Sequence, residues 1–279
     1  MAKVKTAKDR ITAYLKGKGL DVSEIKDAFD ELEAADVDLE KLSAATGMNT
    51  KWEEFWNKTA VPEFQKVQAE ESAMLYDGAL VSTILPMVPG LVERLKDGIT
   101  VADAGCGQGH AINVMAKAFP TSTFTGYDFS KEGVAAGKAE AKKWRLQNAR
   151  FEAKDIAHLD LRGTFDFVTA LDTIHDQAKP MQVLRQIRAA LRPGGDFLMM
   201  DIAGSSRLEE NLQHPLGPVL YSVSVLHCMT VSLAYDGEGL GTVWGEQKAQ
   251  EYLTKAGFRD ITVKHLDGDP FHVFFIAKR

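Results

Sequence analysis

From Thr100 onward, short β-branched or aromatic runs alternate with longer segments of helical periodicity, and this alternation constrains the chain more than any other feature. Strands joined through helices must run parallel, because each helix carries the chain back across the sheet. The pattern predicts strands near 99–104, 123–127, 149–153, 165–171 and 195–201, with helices near 108–118, 131–145, 180–191 and 246–256. The end departs from this rule. Ile261-Thr262-Val263 and the run from Phe271 to Ala277 are joined by Asp267-Gly268-Asp269-Pro270, which leaves no room for a crossover helix. The sequence therefore predicts an α/β fold: a doubly wound, Rossmann-like, seven-stranded sheet with an antiparallel last strand.

Residues 1–60 place Ile11, Tyr14 and Leu15, then Val22, Ile25, Phe29 and Leu32, at helical spacing. Residues 62–95 continue as helices broken by Pro86 and Pro89. We read residues 1–75 as a helical cap or dimerisation region and 76–279 as the α/β domain. The stripe Trp52, Phe55, Trp56 and Phe64 is more apolar surface than a short arm buries alone, which predicts a homodimer. Asp38 to Met48 resembles the first half of a helix-turn-helix, without an evident recognition helix after it.

Charge narrows the partners. The chain holds 33 Lys and Arg against 39 Asp and Glu, and the acidic residues crowd 21–60, which argues against a nucleic-acid partner. Two separated cysteines, Cys106 and Cys228, fit a reducing compartment, and the polar first ten residues do not read as a secretory signal, so a cytoplasmic location is expected. The apolar stretch Leu216 to Ala234 contains Pro218, Tyr221, three serines and His227. It is expected to be a buried amphipathic core helix, not a membrane span.

Between the first strand and its helix lies Val101-Ala102-Asp103-Ala104-Gly105-Cys106-Gly107-Gln108-Gly109-His110. Glycines there let the backbone turn sharply and approach a ligand closely. A dinucleotide fingerprint, G-x-G-x-x-G, would require glycine where His110 stands. Asp103 would also set a carboxylate beside a pyrophosphate. The loop suits a cationic ligand instead.

With this D-A-G-C-G-Q-G loop, Gly126-Tyr127-Asp128 closing the second strand, Asp155-Ile156 after the third and the final hairpin, the chain resembles the class I S-adenosylmethionine-dependent methyltransferases over about residues 76–279. Segments such as Ile174-His175-Asp176-Gln177 and Leu191-Arg192-Pro193-Gly194-Gly195 are similar to a small-molecule subgroup with a helical or winged-helix N-terminal part. The resemblance implies S-adenosylmethionine as cofactor and S-adenosylhomocysteine as product. It also implies Asp103 near the methionine ammonium, Gly105, Gly107 and Gly109 as the cradle, and Asp128 on the ribose hydroxyls. Asp155 would accept from the adenine amino group, with Phe129 and Ile156 on the two faces of the ring.

Methyl transfer from a sulfonium is an in-line displacement that depends on alignment, with a base needed only where the acceptor must lose a proton. His175 is the candidate base. The His175-Asp176 pair resembles that of plant-type O-methyltransferases, although Gln177 replaces the Trp that follows there. His214, His227, Cys228 and Trp244 fall in the insertion after the fifth strand and are expected to line a substrate pocket beneath a lid. None of these residues shows close ligand spacing, so no metal is assigned. The expected function is methyl transfer to O, N or S of a small molecule. The alternative is an S-adenosylmethionine-sensing transcriptional regulator with a helix-turn-helix remnant.

Overall fold

The computed structural model describes the backbone of residues 61–279 and side chains from residue 67. The readings placed on residues 1–60 and on the side chain of Phe64 lie outside it. The compact unit Gln65–Arg279 carries the features below.

Helix α1 (Val61–Leu75) widens into a π-helical stretch, Tyr76–Ile84, and ends in the 3₁₀ turn Leu85–Met87 before α2 (Leu91–Asp97). The alternating part then follows: β1 (Thr100–Ala104), α3 (His110–Ala118), β2 (Thr123–Asp128), α4 (Lys131–Lys143), β3 (Ala149–Ala153), β4 (Phe165–Leu171), α5 (Pro180–Ala190) and β5 (Leu191–Ile202). After an insertion containing α6 (Gly217–Val223) and α7 (Met229–Ala234) come α8 (Glu246–Ala256), β6 (Arg259–His265) and β7 (His272–Lys278). The seven strands form one sheet in the order β3-β2-β1-β4-β5-β7-β6, and β7 runs antiparallel to both neighbours. The expected fold class is the observed one.

Among the boundaries that differ from the expected ones, three have a backbone reason. The first crossover helix starts at His110, not 108, because Gly109 takes a left-handed φ of 75° as its cap. Helix α4 stops at Lys143, and Arg145 turns left-handed at φ 59°. Strand β5 begins at Leu191 because Leu191 pairs with Phe165 before the chain bulges through Gly194 and Gly195 and resumes pairing at Asp196.

Both faces of the sheet are buried, so its central strands feed two cores by simple alternation. Along β5, Phe197 and Met199 join Leu184, Ile187, Leu253 and Phe275 on one side. Leu198 and Met200 join Leu80, Ile84, Met115, Phe167 and Phe274 on the other. At the far end of β5 the buried Asp196 carboxylate is met by Arg94 and by Lys278, whose Nζ lies 2.5 Å away.

The glycine loop depends on close helix–strand contact. A Cβ on Gly109 would stand 2.3 Å from the Phe151 ring and 3.1 Å from Gly137 Cα, whereas one on Gly107 would meet no described residue within 4 Å. Both glycines have positive φ. We expect Gly107→Ala to cost only left-handed strain, about 1–2 kcal/mol. Gly109→Ala should add an overpacking cost of about 1–3 kcal/mol. Urea denaturation of the two variants measures the difference, and equal losses would show that Phe151 yields freely.

Candidate active site

The site forms where strand order reverses, at the carboxyl ends of β1 and β4, which is where an open α/β sheet leaves a crevice. Gly105 and Cys106 both donate their N–H groups to the Tyr127 carbonyl, at 2.8 and 3.0 Å, tying the glycine loop to the end of β2. Asp128 completes the tie. Its Oδ2 accepts from Gly107 N–H and its Oδ1 from Ser130 N–H, each at 2.8 Å. Capping of α4 falls to Ser130, whose hydroxyl accepts from Gly133 N–H at 3.0 Å.

Gly105, Asp128, Phe129, Asp155, Ile156, Thr173 and Gln177 line one cleft. Five of these are residues the sequence singled out for the cofactor. Phe129 leaves 60% of its surface exposed, unusual for a large apolar ring at the end of a strand, and Ile156 is a buried member of the same lining. Asp155 is already engaged: Oδ1 accepts from Ala157 N–H and Oδ2 faces His158 Nδ1, both at 2.8 Å. Thr173 and Gln177 were missed as lining residues. Their signal is position after β4, together with contact, because a Cβ on Gly105 would fall 2.1 Å from Thr173 Oγ1. Among the described residues the lining carries two carboxylates and no cationic side chain, an acceptor set that fits a sulfonium, an ammonium and a ribose diol and opposes a pyrophosphate.

Asp103 lies beneath the loop, buried, and accepts from Thr169 Oγ1 at 2.7 Å across the β1–β4 pair. Burial pushes its carboxyl up to about 7, the Thr169 bond opposing and the Asp128 charge adding. Tyr76, from the π-helical stretch, is held above its ordinary range by burial and by Asp103 and Asp172.

A second group of side chains gathers past β4 and β5. His175 is buried, with Nδ1 2.8 Å from Asp201 Oδ1 and Nε2 3.3 Å from Asp176 Oδ1. Burial alone would lower its pKa, but Asp201 and Asp176 overcome that and raise it well above the usual histidine value. The candidate base is thus held with Nδ1 against Asp201 and Nε2 toward Asp176. Asp172 enters the same group from a left-handed backbone, φ 55°, and burial raises its carboxyl as well.

The insertion supplies the rest of this group. Gly217–Ala234 is one helix long and apolar enough to cross a membrane, yet only a third of it is buried, and Leu220, Ser224, His227, Cys228 and Ser232 are the side chains that face inward. Ser232 Oγ donates to the Gln177 carbonyl at 3.0 Å, and Cys228 Sγ lies 2.9 Å from Thr242 Oγ1. The expected core helix is therefore only partly buried and lies as the expected lid over this group, with Val219, Val225 and Leu226 exposed on its outer side. Of the expected pocket residues, His227 and Cys228 do reach this group. Trp244 instead packs edge-on against Tyr252 within the core, and His214 engages the Pro270 carbonyl of the hairpin at 3.2 Å.

Residues 95–257 match the family described as a methyltransferase domain. Among curated relatives, a tRNA U34 carboxymethyltransferase of Campylobacter curvus is 24% identical over 81% of this chain and 77% of its own length. An arsenite methyltransferase of Aquipseudomonas alcaligenes is 29% identical over 54% of this chain, which spans only 44% of that relative. The solved structure of human N-acetylserotonin methyltransferase in complex with S-adenosylmethionine superposes with a TM-score of 0.52 at 21% identity, covering 71% of this chain and 51% of that one.

Because folded Asp103 keeps a proton that the unfolded chain releases at lower pH, stability falls as pH rises from the ordinary carboxylate range to about 7. The loss approaches about 4 kcal/mol at most. Asp103→Asn, which preserves an acceptor for Thr169, should be more stable than the parent at pH 8 and lose that advantage by about pH 4. Thermal melts across pH test this, and a pH-independent difference would refute it.

Proposed function

The chain belongs to this methyltransferase-domain family, and we propose that it transfers the methyl group of S-adenosylmethionine to an O, N or S atom of a small molecule held between the cleft and the lid. The cofactor supplies a methyl carbon made electrophilic by its sulfonium. The observation that carries the reading is the acceptor-rich, cation-free cleft. In it Asp128 retains lone pairs for the ribose hydroxyls while its backbone bonds fix its orientation. Gly105, Gly107 and Gly109 bring main chain close to the methionine portion, with the Asp103 carboxyl beneath the loop near its ammonium. Phe129 and Ile156 supply the two apolar faces for adenine, and the outer lone pairs of Asp155 its amino group.

The lid excludes water from the transferring methyl and presents His227 and Cys228 to the acceptor, so that alignment carries much of the acceleration. We place the division between the N-terminal region and the catalytic domain near residue 75. The alternative regulator rested on residues 38–48, outside the described residues, and gains no support from the comparisons. Homodimerisation remains part of the proposal, supported by the exposed apolar outer side of the lid. The free thiols of Cys106 and Cys228 support a cytoplasmic setting.

Asp128→Ala should weaken both S-adenosylmethionine and S-adenosylhomocysteine by about 10–100-fold, the cost of a lost charged acceptor. Calorimetry checks this, and unchanged binding would remove Asp128 from the site. A screen of phenols, thiols and amines with labelled cofactor then identifies the acceptor atom.

A further inference from the structure

We propose that His175, Asp176 and Cys228 form a binding site for a borderline-soft divalent cation of the zinc type. One nitrogen, one carboxylate oxygen and one sulfur, brought from the loop after β4 and from the lid, lie within 4.8 Å of one another. Such a mixed donor set suits zinc, whose bond lengths of about 2.0–2.3 Å in a tetrahedron place ligand atoms roughly 3.3–3.8 Å apart. His175 Nε2 and Asp176 Oδ1 stand 3.3 Å apart, and Asp176 Oδ1 is buried without a hydrogen bond.

The support behind the histidine is of the same kind. Nδ1 lies 2.8 Å from Asp201 Oδ1, which also accepts from Ile202 N–H at 2.8 Å, leaving Nε2 on the ligand side. A carboxylate behind a ligating histidine fixes its tautomer and raises its basicity. Asp201 is wholly buried, and its Oδ2 has no hydrogen-bond partner among the described residues. Three carboxylates, Asp172, Asp176 and Asp201, thus share one imidazole in a space closed by the lid, an acidic excess that a divalent cation would neutralise. His227 Nδ1 stands 4.0 Å from Asp176 Oδ2, beside the same donors.

Three protein ligands leave a fourth position for water or for an oxygen or sulfur of a small molecule. Only that last assignment rests on the methyltransferase reading; the ion site does not.

Titration of the chelator-treated full chain with zinc sulfate, against a chromophoric chelator, should give one ion per chain. Cobalt(II) should give a thiolate-to-metal charge-transfer band that Cys228→Ser abolishes and Cys106→Ser leaves intact. Asp201→Asn should weaken zinc about 10–100-fold, as outer partners of ligating histidines do, and Asp176→Asn by more than about 10-fold. Near-ultraviolet circular dichroism identifies any variant that fails to fold, in which case the remaining variants decide. Absence of stoichiometric zinc binding, or equal affinity in the folded Cys228→Ser and Asp176→Asn proteins, would overturn the proposal. S-adenosylhomocysteine titrated into the same metal-free chain reads the methyltransferase assignment separately.

Discussion

The two oxygens of Asp128 hold the crevice together. One takes the Gly107 N–H from the loop after β1 and the other the Ser130 N–H at the start of α4, so a single carboxylate fixes two neighbouring crossovers. It works only because β1 and β2 are in parallel register, with Ala104 opposite Tyr127, which brings both loops out on the same edge. Burial raises the Asp128 carboxyl, and the backbone donors oppose that effect. The bonds that shape the loop therefore also help to keep its acceptor charged.

How the sequence reads follows from the range of each interaction. Strands and crossover helices were legible because a sheet buried on both faces requires short apolar runs, such as Phe197 to Met200, whatever lies around them. That Gly105, Asp128, Asp155 and Ile156 share one cleft was legible because they occupy fixed positions after successive strands. The His175 group was not. Its members lie at 172–176, 201 and 227–228, and no local spacing announces that the lid lays Cys228 beside His175. Trp244 is ambiguous for the opposite reason, since an aromatic in an insertion reads equally as pocket or core, and its edge contact with Tyr252 depends on α8 docking.

The lid does not sort its residues by polarity alone. Its buried side carries Ser224, His227, Cys228 and Ser232 beside Leu220, while Val219, Val225 and Leu226 face outward. Pro218, Tyr221, the serines and His227 inside the apolar run are why a core helix was expected. The polar share has a local cause: part of the surface beneath the lid is the polar loop 172–178, whose Gln177 carbonyl accepts from Ser232 Oγ and whose Ala178 carbonyl accepts from Glu238 N–H.

That loop couples the two halves of the site. Thr173 fills the space a side chain on Gly105 would need, while Asp172, His175 and Asp176, one to three residues away, face the second group. Gln177 braces the segment internally, donating to the Thr173 carbonyl at 3.0 Å. A displacement of this turn therefore moves the wall of the cofactor cleft and the acidic cluster together. In an in-line displacement the distance between donor carbon and acceptor atom is the quantity that must be held, and one short braced segment touching both sides holds it with fewer independent motions than two separate loops would allow.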